Sequence, residues 1–190
     1  MNAVRLRGPL LAAALLVPAG GTLAATFEPE LAGAGPGIEL VGSGTASYMF
    51  WDVYDAALYA PASATESTIR RGDVPLTLIL EYHRDVGVDG IRKAAWKALD
   101  EQHDEEAREA LRPKVEALHD AMRDVGDGDR YRLDWRPGQG SRTGGLTLAL
   151  NGEVLFESED PELARAYFGI WLGEPPLSGA LRKKLLARLN

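Results

Sequence analysis

The chain contains no cysteine. That excludes a disulfide, a thiolate nucleophile, a sulfur metal site and a lipid-attachment cysteine behind a leader. Stability must come from packing alone, even in an oxidising compartment. After residue 25 no apolar run approaches the roughly 20 residues needed to span a bilayer. Catalytic signatures are also missing. There is no G-x-S-x-G elbow around Ser43, Ser141 or Ser178, no phosphate loop, no EF-hand loop and no HExxH. Gly42-Ser43-Gly44 lacks the remainder of a phosphate-binding loop. Basic residues are in the minority, 21 against 28 acids, for a net charge of −7. A chain this acidic is repelled by phosphate backbones, which speaks against nucleic acid and against docking on an anionic membrane.

What is present begins with a leader. Arg5 and Arg7 form a basic start, and Leu10 to Val17 is an apolar stretch ended by Pro18, Gly20 and Gly21. Thr22-Leu23-Ala24 supplies small residues for cleavage before Ala25. Residues 1–24 therefore read as a signal peptide, with export to the periplasm as the expectation. Its removal would take Arg5 and Arg7 and no acid, moving the charge from −7 to −9. Residues 25–37, rich in Gly, Pro and Ala, read as a tether or irregular lead-in. Residues 38–190 are one domain, and an apolar share of 45 % is enough for a full core.

Within that domain Ile38 to Ala60 reads as one long strand, bent at Gly42-Ser43-Gly44 and covered on both faces after Thr45. Pro61 ends it. Leu76, Leu78, Leu80 and Tyr82 form one face of a second strand, with Thr77, Ile79, Glu81 and His83 on the other. Two helical stripes follow, through Ile91, Ala95, Ala98 and Leu99, then through Ala107, Leu111, Val115, Leu118 and Met122. Pro113 is expected to kink or restart the second. Tyr131, Leu133 and Trp135 alternate as a strand, as do Leu146, Leu148 and Leu150. Asn151-Gly152 predicts a tight hairpin into Val154–Glu157. Asp160-Pro161 opens a helix carrying Leu163, Ala166, Tyr167, Ile170 and Trp171, which Gly173 ends. Ser178 caps a last helix with a cationic end. The order predicts an α+β fold with helices layered on an antiparallel sheet.

His103 and His119 lie among acids, and with sixteen residues between them they form no helical ligand pair. They read as a solvated acidic face, so no metal site is expected. His83 reads as half-buried. Carboxylates Glu157, Glu159 and Asp160 are accounted for by the helix cap. No cofactor and no catalytic constellation is indicated. The remaining signal is aromatic, with Tyr48, Phe50, Trp51, Tyr54 and Tyr59 on one stretch and Tyr167, Phe168 and Trp171 on one helix. These are either core or the walls of a partly open apolar cleft.

Gly42–Tyr59 (GSGTASYMFWDVYDAALY) resembles the signature strand of bacterial chalcone isomerase-like proteins. Leu150–Leu155, Asp160–Leu186, Lys93–Leu99 and Gly128–Trp135 extend the resemblance over roughly residues 38–189. It implies an open-faced sandwich, a large antiparallel sheet backed by a layer of helices. The plant enzymes of that superfamily close a chalcone to a flavanone. The resemblance implies that they use an arginine in the first strand, a threonine, a tyrosine, an asparagine and a polar residue on the late helix. Threaded on this chain, those positions fall on Gly42, Tyr54, near Gly87 or Val88, near Ala94, and on Ile170. No arginine lies between residues 8 and 69. The resemblance thus implies the scaffold without the isomerase site.

Since the superfamily includes fatty-acid-binding proteins, it also implies a non-catalytic domain binding a small apolar ligand of that class. An isomerase or intramolecular lyase on another substrate, and an interaction module with a filled cleft, are the alternatives. The ligand-binding residues expected are Tyr48, Phe50 and Tyr54 on one strand parity, Ile170 and Trp171 opposite them, and Arg84 or Arg92 as counter-ion. The sequence names no protein partner.

Overall fold

The computed structural model describes residues 27–31, 37–138, 140 and 143–189. The expected signal peptide and most of the lead-in lie outside the described residues. The chain runs β1 (Ile38–Tyr48), β2 (Trp51–Pro61), α1 (Glu66–Arg71), β3 (Leu76–Tyr82), α2 (Val88–Gln102) and α3 (Glu105–Ala121). It continues through β4 (Arg130–Arg136), β5 (Gly145–Leu150), β6 (Glu153–Ser158), α4 (Pro161–Leu172) and α5 (Gly179–Leu185). The strands pair in sequence order, each antiparallel to the next. This is the open sheet with helices on one face that the alternation predicted.

The stretch Ile38–Ala60 corrects the expectation of a single strand. The chain reverses between Tyr48 and Trp51, which pair across the turn, and the bend expected near Gly42 is a register shift between Leu40 and Gly42. Polar Ser, Thr and Gly give β1 no alternation to mark its end, so the reversal falls where no Asn-Gly signals it. The Asn151-Gly152 hairpin forms as predicted, with φ of 51° and 86°. A second correction concerns Pro113. α3 continues through it, and the helical break falls earlier, where Asp104 caps α3 by accepting the Ala107 N–H at 2.9 Å.

The inner face holds the main core. Ala56, Leu58 and Ala60, the even-numbered residues of β3, and the odd-numbered residues of β4 pack against α2, α3 and α4. The outer face is smaller and partly covered. Phe27 and Leu31 from the lead-in pack on Ile38, Ala57, Tyr59 and Ile79, and the Tyr59 hydroxyl donates to the Glu28 carbonyl at 3.0 Å. Elsewhere that face is polar. Thr45 donates to buried Asp55 at 2.6 Å, Asp55 meets half-buried His83 at 3.1 Å, and Thr77 donates to Asp134 at 2.5 Å. These pairs leave each buried oxygen with a partner, as a buried polar group requires.

Candidate functional site

α4 divides the inner face into two unlike flanks. Its start is fixed locally, since Asp160 accepts from the N–H groups of Glu162 and Leu163 at 2.8 and 3.2 Å, with Pro161 in the first turn. Its end is held by other elements. Gln102 donates to the carbonyls of Gly169 and Pro175 at 2.8 and 2.7 Å, and Arg182 donates to the Leu172 carbonyl at 3.1 Å. The Leu172 carbonyl is one that the last helical turn leaves unpaired, while the Gly169 carbonyl also accepts the Gly173 N–H at 2.7 Å.

One flank is closed. Tyr54 and Tyr82 stand 5.5 Å apart by ring centroid, Tyr82 and Tyr131 6.3 Å, and Tyr167 and Trp171 6.3 Å. His119 lies edge-on to both Trp96 and Tyr167. The Trp171 indole donates to the Tyr54 hydroxyl at 3.0 Å. Burial raises the Tyr54, Tyr82 and Tyr167 hydroxyls above the usual phenol range, so at neutral pH they are donors and not bases.

Only part of the expected ligand set meets there. Tyr54 and Trp171 come together, both half-buried, and Ile170 lies fully buried in the core against which they pack. Tyr48 and Phe50 do not join them. The reversal at Met49 and Phe50 puts both at the hairpin tip, 73 % and 93 % exposed, because period-two alternation cannot carry across a turn. Arg84 lies with its guanidinium 5.0 Å from the Trp51 ring. Arg92 closes the end of α3, donating to the His119 carbonyl at 2.6 Å and lying 3.6 Å from Asp120.

The histidines also depart from the expected solvated face. His119 is buried, and burial followed by the Arg92 charge lowers its pKa to about 4. Among the described residues, its Nε2 and the Arg92 Nε are buried without a hydrogen-bond partner. The acids beside His119 in sequence hid this, since its own helical face is that of Val115 and Leu118. His103 is half-buried at the α2–α3 junction. Among the described residues no group of three His, Asp or Glu could hold a metal ion.

The other flank of α4 is open, and the sequence reading missed it. A groove of about 500 Å³ runs between α1, α4 and the α2–α3 junction. Ile69, Leu76, Leu111, Trp135, Phe168 and Leu172 make its apolar surface, with Arg70, Arg165, Gln102 and His103 among its polar groups. Trp135 is anchored by donating to the Gly72 carbonyl at 2.8 Å. Ala164, Phe168 and Leu172 at i, i+4 and i+8, facing Ala107 and Leu111 of α3, were the available signal.

The family described as chalcone isomerase-like matches residues 23–187. The chain belongs to that family. The chalcone isomerase-like fold is also shared with a crystal structure of a fatty-acid binding protein from Arabidopsis thaliana. The TM-score is 0.62 and the identity 17 %, over 86 % of this chain and 92 % of that one. At this identity the likeness is one of fold. No curated protein matches the chain.

In this chalcone isomerase-like chain the first strand has no room for a side chain at Gly42. A Cβ there would stand 2.1 Å from the Lys184 carbonyl oxygen and 2.9 Å from that of Leu185. The strand position that the resemblance assigns to a phenolate-holding arginine thus faces two carbonyl oxygens of α5, which repel an anion. Ile170 and Ala94 offer no polar group, and the Val88 N–H is taken by Asp124 at 2.7 Å.

Proposed function

We propose that this is an exported, non-catalytic domain that binds a small apolar ligand with an acidic head, of the fatty-acid class. The open groove carries the reading. Its volume of about 500 Å³ lies within the range usual for small-molecule sites, about 300–1,000 Å³. Its lining sets the apolar Ile69, Phe168 and Leu172 beside the charged Arg70, Glu162, Arg165 and Glu174, and Arg165 makes no ion pair among the described residues. A carboxylate there would meet a cation at the water boundary while its chain displaced water from Phe168 and Leu172. The fold shared with a protein named for fatty-acid binding supports the ligand class by analogy. The carbonyls facing Gly42 support absence of isomerase chemistry, because such chemistry needs donors aimed at developing negative charge.

A displacement titration with a fluorescent fatty acid tests this on wild type, Ala107→Trp and Arg165→Gln. Saturable binding that Ala107→Trp abolishes, and that Arg165→Gln weakens about tenfold for the acid but not for the matching alcohol, is expected. Wild type without binding sinks the reading. Export is tested apart from it, by N-terminal sequencing of protein from the native host, which should begin at or near Ala25.

A second reading places the ligand on the closed flank, among Tyr54, Ile170 and Trp171, with Arg84 or Arg92 near its head. It is favoured by one observation: among the described residues the Tyr54 hydroxyl accepts from Trp171 and donates to no partner. Binding lost in Ile170→Trp but kept in Ala107→Trp would put this reading ahead.

A further inference from the structure

The β1–β2 hairpin ends in four consecutive large apolar side chains that face solvent. Tyr48, Met49, Phe50 and Trp51 are 73 %, 76 %, 93 % and 63 % exposed. Among the described residues, the other large hydrophobic so exposed is Val154, which stands alone on β6. Scattered apolar residues need no account, but four together at one turn do.

The backbone supplies an independent observation. At the β5–β6 turn the positive φ values belong to Asn151 and Gly152, the residue types such turns favour. At the β1–β2 turn a φ of 56° falls on Met49. Left-handed backbone disfavours a residue with a Cβ, and Asn or Gly would relieve it. The turn therefore keeps an apolar side chain at its apex against its own backbone preference, and such strain clusters at functional sites.

The side chains are also graded along the hairpin. Met49 and Phe50 form the apex. Tyr48 and Trp51, whose rings carry a polar atom, stand one step back, the order favoured across a lipid headgroup boundary. Behind Trp51 lies the Arg84 guanidinium, which makes no ion pair among the described residues. The nearest carboxylate in the hairpin, Asp52, accepts the Ser47 hydroxyl at 2.6 Å.

We propose that this tip inserts into a zwitterionic lipid surface and docks the domain shallowly on a membrane. A two-residue turn with side chains radiating from it is convex. It lacks the flat, self-matching patch through which a second copy would pair. Tyr48 and Trp51 pair with each other, so the bare amides at the boundary are those of the turn and of the outer edge of β1 beside it, which suits shallow insertion. With a net charge of −7 the protein gains nothing from anionic lipid, so apolar burial drives the contact.

The test uses phosphatidylcholine vesicles, including a set brominated on the acyl chains. Wild-type protein should co-sediment, and added salt should not weaken binding. Brominated lipid should quench the wild type but not Trp51→Phe, which retains Trp96, Trp135 and Trp171. Phe50→Ser should lower the partition coefficient roughly tenfold or more, the factor corresponding to about 1.4 kcal/mol of lost burial. Met49→Asn should weaken partitioning while raising the melting temperature, which separates lost docking from lost folding. Equal partitioning of wild type and Phe50→Ser overturns the proposal. So does a vesicle-free dimer that Phe50→Ser dissociates without any acyl-chain quenching, since the tip would then belong to a second copy.

Discussion

The Trp171 indole N–H donates to the Tyr54 hydroxyl at 3.0 Å, tying the end of α4 to β2 across 117 positions of sequence. Tyr54→Phe deletes the acceptor and leaves the indole donor half-buried and unpaired. Urea unfolding should show a loss of about 1–3 kcal/mol. The double variant Tyr54→Phe, Trp171→Phe should be less destabilised than the sum of the singles. Strict additivity would mean that the bond contributes nothing.

His119 predicts a pH dependence. Its folded pKa of about 4 lies below the ordinary 6.5, so between those values the unfolded chain binds the extra proton. The neutral ring's contribution is fully present above pH 6.5 and is lost as pH falls toward 4. Its size is on the order of 3 kcal/mol. Arg92 opposes the charged form and Asp120 favours it. Denaturant melts across this window should slope for wild type and flatten for His119→Phe. An unchanged slope in the variant would assign the effect to other groups.

Gly42 should tolerate no side chain. With the Lys184 oxygen 2.1 Å from the site of a Cβ, Gly42→Ala must push β1 and α5 apart. Overpacking of this kind costs about 1–3 kcal/mol. Calorimetry would show it as a lowered melting temperature. An unaffected Gly42→Ala would mean that α5 yields freely.

Incubation with a 2′-hydroxychalcone should give cyclisation no faster than buffer of the same pH. Saturable acceleration would show that some other cation has taken the place Gly42 cannot fill.

Much of the fold was legible because its elements carry strong local signals. Asp160-Pro161, Asn151-Gly152 and the alternating leucines of β3 and β5 each fix a boundary or a face by themselves. The β1–β2 reversal was not legible, because its turn residues are Met49 and Phe50, which resemble strand interior. That one miss misdirected the site reading, since it put Tyr48 and Phe50 in register with Tyr54. His119 was obscured by neighbouring acids that point elsewhere. The groove belongs to no single element. It exists because α1, α4 and the α2–α3 junction stop short of one another, a tertiary fact that the stripe Ala164, Phe168 and Leu172, like any buried helix face, does not announce.

The lead-in has a consequence for the sheet as an open rim. β1 is its first strand, and Leu40 turns its N–H away from β2 to the Pro29 carbonyl at 2.9 Å, while Glu30 bridges Glu39. A bare rim strand is a template for another chain's backbone. Phe27–Leu31 occupies that rim near its start and places a proline and two acids along it. A chain cut to begin at Ile38 would keep every strand of the sheet but leave this border unguarded, and its first failing would be self-association before any loss of fold.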